Sequence, residues 1–375
     1  MKIIILGTLA SSILGFRAAL IQKLIADGHQ VFAFAIDYSE EEKKILLSWG
    51  AVPIDYKLSR SGLNPIIDIK LIFALKKTFE LIMPDIVFSY FVKPVVYGSL
   101  AAKLANVPKR IAMLEGLGFA FTEQPDRKAI KAKIIKKIQL VLYRVAFPAT
   151  THLLFLNTDD RDELLVKHAL KARSSSVIGG IGLDLNYYCY QPVEIRKPLS
   201  FLYIGRLLKE KGIFEYLAAA KMIKKIYPHV NFTVLGKADH TSPNALSDDE
   251  LQSCIDNGLI DYPGHVDSVL KWIESCSVFV LPSYREGVPR STQEAMAVGR
   301  PVLTTDVPGC RETVIDGENG FLIPPFNVEA LVEKMIWFIA NPEKIEPMGL
   351  ASRKMAEERY DVNKVNARLL KIMGL

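Results

Sequence analysis

The first 188 residues of this 375-residue chain hold no cysteine, and the four that follow, Cys189, Cys254, Cys276 and Cys310, form no CxxC pair. Neither a disulfide framework nor a zinc knuckle is indicated, and a reducing cytoplasm fits. No apolar run is long enough, at about 18 residues or more, to cross a bilayer as a helix. The opening MKIIILGTLASSILGFRAAL looks superficially like a secretion signal. An amphipathic run continues directly from it, however, and MKIIILG reads as a first strand. GTLASSILG is no GxGxxG, which disfavours a dehydrogenase. The stretch RKAIKAKIIKKIQLVLYRVAF (127–147) contains no acid at all.

Half of the residues are apolar and 23% are charged, a folded composition. The length suggests two domains. The charge is uneven. Residues 1–188 carry 25 Lys+Arg against 17 Asp+Glu, a net of +8, and residues 189–375 carry 22 against 24, a net of −2. A basic half of this kind serves nucleic acid, anionic lipid or a phosphorylated substrate. The acid-free stretch belongs to it. Ile130, Ile134, Ile135, Ile138 and Leu142 recur there at helical spacing among Lys131, Lys133, Lys136 and Lys137. Such a basic amphipathic helix lies on an anionic membrane surface, or else it is a packed helix with a solvated face.

Strand and helix alternate nearly throughout. KIIILG (2–7), QVFAFAID (30–37), DIVFSY (85–90), KRIAML (109–114) and THLLFL (151–156) read as strands, with a first helix over 16–28. The cycle restarts with SFLYIG (200–205), NFTVLG (231–236) and SVFVLP (277–282), with helices near 213–226 and 247–257. Continuous apolar strands alternating with helices imply parallel sheets covered on both faces. Two such series imply two doubly wound domains: 1–189, 190–355, and a C-terminal helix in 356–375 that returns to the first. The linker falls in YQPVEIRKPLS (190–200). A ligand is expected beyond the carboxyl ends of the strands, in a central cleft that the two domains face.

Two stretches carry chemistry. GRLLKEKG (205–212) follows a strand and precedes a helix. Gly205 lets backbone approach a ligand, and Arg206 and Lys211 beside a helix N-terminus suit a diphosphate. The plain alternative is surface charge in a loop. REGVPRSTQEAMAVG (285–299) sets Glu286 eight residues before Glu294. Ser291-Thr292-Gln293-Glu294 spells a capping box, which makes Glu294 structural. A helix starting at Pro289 instead leaves Glu294 past the first turn, where it can accept both hydroxyls of a ribose. Glu286 then faces sugar hydroxyls, with the amides of Gly287 and Val288 nearby.

VFVLPSYREGVPRSTQEAMAVGRPVLTTDVPGCRETVIDGENGFLIPP (278–325) resembles the donor-binding half of family-4 retaining glycosyltransferases, which have the α/β, two-domain GT-B fold of two Rossmann-like domains. Glu286 and Glu294 match that family's E-x7-E pattern, and Arg206 and Lys211 its diphosphate clamp. FVKPVVYGSLAAKLANVPKRIAMLEGLGFAF (91–121), LFLNTDDRDEL (154–164), GGIGLDLNYY (179–188) and SRSGLNP (59–65) are similar to bacterial capsule and O-antigen transferases and to N-acetylgalactosaminyltransferases of bacterial N-glycosylation. The resemblance implies that Glu286 contacts the donor sugar, Glu294 the ribose, and Arg206 and Lys211 the diphosphate. Gly15, in the loop after the first strand, would sit beneath the phosphates. Many members place a histidine near the reacting centre; here Glu115 stands in that place, as a sugar or acceptor contact or as a satisfied interior carboxylate.

The implied reaction moves a hexosyl group, GalNAc or another HexNAc from a UDP-HexNAc donor, to an undecaprenyl-diphosphate-linked saccharide in an α1,3 linkage. It takes place at the inner face of the cytoplasmic membrane, without cofactor, metal or nucleic acid. Asp160-Arg161-Asp162 spells DxD, but helix capping explains it. Two other readings stay open: a GT-B nucleotide-sugar epimerase, and a nucleotide-sugar-binding module without catalysis.

Overall fold

A computed structural model describes residues 1–59, 64–123, 130–193, 198–239, 242 and 244–375, without the side chains of Ile130 and Lys131. Residues 60–63 of SRSGLNP, Arg127 and Lys128 of the basic stretch, and 194–197 of the expected linker lie outside the described residues.

The chain divides into two compact units. The first comprises Met1–Ala120, Lys128–Gly182 and Val362–Leu375; the second comprises Phe121–Arg127 and Leu183–Asp361. The main boundary therefore follows Gly182 rather than residue 189. The reason lies in polar ties that hold the 188–191 backbone inside the second unit. Arg353 Nη1 donates to the Tyr188 carbonyl at 2.8 Å, and Arg300 Nη1 to that of Gln191 at 2.8 Å. At the other end, the helix that belongs with the first unit is Val362–Met373, not 356 onward. Lys109 Nζ caps it by donating to the Met373 carbonyl at 2.7 Å.

Among the described residues, the first unit holds seven parallel strands: β1 (Lys2–Leu6), β2 (Gln30–Ala35), β3 (Val52–Asp55), β4 (Ile86–Tyr90), β5 (Lys109–Leu114), β6 (His152–Phe155) and β7 (Ser175–Val177). Their order is β3-β2-β1-β4-β5-β6-β7. Ile3 to Leu6 and all of β4 are buried, as expected of central strands covered on both faces. The connection after β1 is shorter than its sequence suggests. Helix Ala10–Phe16 starts three residues after Gly7, breaks at Arg17, and resumes as Ala18–Ala26. Gly15 therefore lies inside a helix rather than in a phosphate loop, and a Cβ there would meet nothing within 4 Å. The glycine that a close approach requires is Gly7, where a Cβ would strike the Tyr90 ring.

The second unit repeats the pattern with β8 (Ser200–Ile204), β9 (Asn231–Leu235), β10 (Asp261–Gly264), β11 (Val278–Leu281), β12 (Val302–Thr305) and β13 (Gly320–Ile323), all parallel, in the order β10-β9-β8-β11-β12-β13. In both sheets the order reverses beside the first strand, between β1 and β4 and between β8 and β11. A doubly wound sheet binds its ligand outside the carboxyl ends at such a switch.

Candidate active site

In the second unit the switch point brings two loops together. β8 runs into Gly205, and the chain crosses to a single turn, Lys209–Lys211. Gly212, at φ 74°, then opens helix Ile213–Ile226. A side chain at Gly212 would collide with the Pro282 carbonyl, so only glycine lets this loop lie against the exit of β11. Tyr284 N completes the contact by donating to the Glu210 carbonyl at 3.0 Å.

That approach delivers Lys211 to Glu286: Nζ sits 2.5 Å from Oε1, with both side chains mostly buried. Ser283 Oγ lies 2.7 Å from the same Oε1 and 3.0 Å from the Glu210 carbonyl. Glu286 N donates to the Pro308 carbonyl at 3.0 Å. Both side-chain partners fall on Oε1, so among the described residues Oε2 remains open to accept hydroxyls. Arg206 is 60% exposed and turns to Asp239, at 3.5 Å. The structure therefore joins Lys211 to Glu286 directly and holds Arg206 apart, at the start of the same loop.

Pro289 caps helix Arg290–Val298, its carbonyl accepting from Gln293 N at 3.2 Å. No capping box forms. The Ser291 hydroxyl instead donates to the Ile204 carbonyl at 3.1 Å, tying the helix to β8. Glu294 lies beyond the first turn and is 8% exposed. Its Oε1 accepts from Arg290 Nε at 2.9 Å and from the Tyr188 hydroxyl at 2.8 Å. Burial, and then the Glu294 charge, push the Tyr188 phenol above its ordinary pKa, so it stays a donor. Gly287 and Val288 are buried between the two carboxylates in sequence, and the Val288 carbonyl is taken by Gln293 Nε2 at 3.1 Å.

In the first unit Glu115 follows β5 and accepts from Arg17, both nearly fully buried. The Arg17 guanidinium also lies 4.5 Å from the Tyr90 ring centroid. Burial raises the Tyr90 phenol to about 12, with Arg17 pulling the other way. Glu115 is thus a partnered interior carboxylate. It also borders a cavity of about 240 Å³.

The sequence of the chain is similar along its length to known enzymes. Residues 191–355 match the family described as glycosyl transferases group 1, and 2–157 match the glycosyl transferase 4-like family. The N,N'-diacetylbacillosaminyl-diphospho-undecaprenol alpha-1,3-N-acetylgalactosaminyltransferase of Campylobacter jejuni is 30% identical over 99% of this chain and 98% of its own. The chain belongs to the group 1 glycosyltransferases. The UDP-Gal:alpha-D-GlcNAc-diphosphoundecaprenol alpha-1,3-galactosyltransferase of Escherichia coli is 25% identical, over 72% of this chain and 70% of its own. Among solved structures, Anabaena HepE in complex with UDP and glucose superposes with a TM-score of 0.78 at 18% identity, covering 100% of this chain and 99% of its own. The glycosyltransferase therefore has the GT-B fold.

The helix cap expected at the DxD spelling forms. Asp160 is fully buried under the Asn157 cap, whose Oδ1 accepts from Asp160 N at 2.7 Å, while Asp162 is half exposed and pairs with Arg161 at 2.8 Å. The two acids of the DxD spelling do not share one environment. Among the four lysines of helix Ile130–Ala146, Lys136 turns inward to Glu163 at 2.8 Å, Lys133 and Lys137 are exposed, and the Lys131 side chain lies outside the described residues. His152 belongs to β6, its Nε2 2.8 Å from Ser176 Oγ. Sequence reasoning missed Tyr188 and Ser283. Tyr188 is 106 residues from Glu294, and no spacing signals such a contact. Arg290 was legible once the helix start was known, because it sits four residues before Glu294 on one face.

Proposed function

We propose that this transferase moves an N-acetylhexosaminyl group, GalNAc before others, from UDP to a saccharide on undecaprenyl diphosphate, with an α1,3 linkage and retention at the anomeric carbon. The observation that carries the reading is the Lys211–Glu286 pair at the β8/β11 switch point. The activities of the two relatives supply the substrate classes.

In this reading the bond between the anomeric carbon and the diphosphate breaks, and its electrons remain on the diphosphate. Lys211 at the loop end and Arg206 at its start stabilise that charge. The acceptor hydroxyl attacks from the same face, and its proton passes to the departing phosphate oxygen. No side-chain base is needed, which accommodates Glu115 where relatives of the family carry a histidine. Glu286 Oε2 accepts from donor-sugar hydroxyls while Lys211 and Ser283 hold Oε1. Glu294, fixed by Tyr188 and Arg290, accepts from the ribose. The charge is met by protein cations, so the proposed reaction takes no divalent metal. Full activity after treatment with a chelator is expected, and abolition restored by Mg²⁺ would overturn this part.

The transferase is further proposed to work peripherally on the inner face of the cytoplasmic membrane. Supporting this, helix Ile130–Ala146 exposes an apolar stripe of Ile134, Ile138, Val141 and Val145 beside exposed Lys133, Lys137 and Arg144. Helix Pro65–Ile82 exposes Ile66, Ile69 and Phe73 in the same unit. No described helix is long and apolar enough to cross a membrane.

The test is a screen of UDP-sugars against undecaprenyl-diphosphate-linked acceptors, with the product anomer read by NMR. An α-linked product from UDP-GalNAc is expected. An inverted product would refute retention. An epimerised sugar formed from donor alone would refute transfer.

A further inference from the structure

We propose that the first unit carries a seat for an isoprenoid diphosphate, in which Lys93 meets the diphosphate where a cavity bordered by Thr8 and Glu115 adjoins a more apolar one. This rests on the reading that the acceptor is a lipid-linked diphosphate, and it assigns that ligand a place. Two cavities flank the first turn of helix Val92–Leu104. The less apolar one, about 240 Å³, is bordered by Thr8 and Glu115 together with Leu58 and Phe91. The apolar one, about 300 Å³, is walled by Val96 and Tyr97 on this helix and by Ile135 and Leu142 on helix Ile130–Ala146. Val92 and Lys93 line both.

Lys93 is the cation at this seam. The residue is half-buried, and its ammonium donates to the exposed Ser59 carbonyl at 2.5 Å. Burial pulls its pKa below the ordinary lysine value, with Asp68 opposing. A partly desolvated cation gains more than a hydrated one from a nearby anion. The wall of the more apolar cavity is mostly carbon, and two of its polar side chains already have partners, Gln139 Nε2 at the Tyr143 hydroxyl, 2.7 Å away, and the Tyr97 hydroxyl at Asp68, so the cavity asks for carbon. A ligand that satisfies both sides has an anionic group joined directly to a flexible hydrocarbon, which is an isoprenoid diphosphate. Its sugar side would extend past Glu115, and its hydrocarbon would leave along the helix whose outer face carries the exposed stripe of Ile134, Ile138, Val141 and Val145. The backbone at Phe91, φ 69° and ψ 159°, lies in a region that non-glycine residues rarely adopt, at the seam itself. Such strain gathers where function holds it.

The test titrates the full chain, saturated with UDP so that the clamp of the second unit is occupied, with farnesyl diphosphate, with farnesol and with inorganic diphosphate. Farnesyl diphosphate is expected to bind at least ~10-fold tighter than either fragment. Lys93→Gln is expected to reduce it to the level of farnesol, and Leu142→Trp, which fills the apolar cavity, to that of diphosphate. UDP affinity, unchanged in both variants, reports that they fold. Farnesyl diphosphate binding no tighter than diphosphate, or unmoved in Lys93→Gln, would overturn the seat. The two readings fail differently. If the acceptor class is wrong, no undecaprenyl-linked saccharide is glycosylated although farnesyl diphosphate still binds. If the seat alone is wrong, Lys93→Gln transfers at the wild-type rate.

Discussion

Lys211 and Glu286 hold each other in a mostly buried setting, so neither can be removed without consequence for the other. Lys211→Ala deletes the cation facing the proposed leaving group and leaves a desolvated carboxylate. Loss of one such preorganised charge typically costs about 10²–10³ in kcat. The expected result is a fall of that order with a smaller change in UDP affinity, read by steady-state kinetics beside a binding titration. An unchanged kcat would mean that the pair only ties two loops together. Glu294 allows a cleaner separation. Its partners Tyr188 and Arg290 fix one oxygen, so Glu294→Ala both loosens them and removes the proposed ribose acceptor. Tyr188→Phe loosens without removing. UDP affinity is expected to drop about 10-fold or more in Glu294→Ala, on the scale of one hydrogen bond to a charged group, and by much less in Tyr188→Phe. Equal losses in the two would assign Glu294 a structural role. The two glutamates and the lysine could be read from the sequence because loops at strand exits are short and their charges stand out against apolar runs. Tyr188 could not, since its contact exists only after the segment from 183 onward joins the second unit.

At the scale of elements, the central strands were legible for a physical reason: both faces are covered, so they read as unbroken apolar runs. Three of the four edge strands, β3, β7 and β10, have mostly half-exposed or exposed residues, and no such run marks them, whereas the fourth, β13, is mostly buried. Gly15 was misplaced because glycine near a first strand suggests a loop, whereas ASSILGF forms a short helix around it. The basic helix Ile130–Ala146 was legible as amphipathic, but its docking was not. Glu163 anchors it through Lys136. Burial opposes the Glu163 charge, yet hydrogen bonds from Lys136 and Lys167 bring its pKa down from 4.5 to about 2. A depressed carboxylate contributes stability above its unfolded pKa and loses it as pH falls through the folded value. Glu163→Gln is therefore expected to lower stability at pH 7 by about 1 kcal/mol. The gap from wild type should shrink between pH 4.5 and about 2, as denaturant midpoints across that window would record. A gap independent of pH would mean that packing, not charge, holds the helix.

For the whole molecule, the charge imbalance suits the two units to the two kinds of partner proposed above. By the residues of each unit, the first carries 27 Lys+Arg against 14 Asp+Glu, a net of +13, and the second 20 against 27, a net of −7. Attraction of exposed lysines to an anionic surface acts over roughly a Debye length, about 10 Å at 0.1 M salt and shorter above it. The Lys211–Glu286 pair is screened far less, because it is mostly buried. Salt should therefore separate the two activities within one chain. Vesicles containing anionic lipid are expected to bind the protein strongly at low ionic strength and to release most of it near 0.5 M salt, while UDP affinity changes by no more than about 3-fold. Replacing Lys133 and Lys137 by Gln should remove much of the salt-sensitive part. At about 1 kcal/mol per basic residue near the surface, the pair accounts for roughly 30-fold in partitioning. Replacing Ile138 and Val141 by Ser should weaken binding at every salt concentration, because apolar burial is not screened. Binding to neutral vesicles as strong as to anionic ones would reject the electrostatic contribution and leave the apolar stripe as the sole anchor.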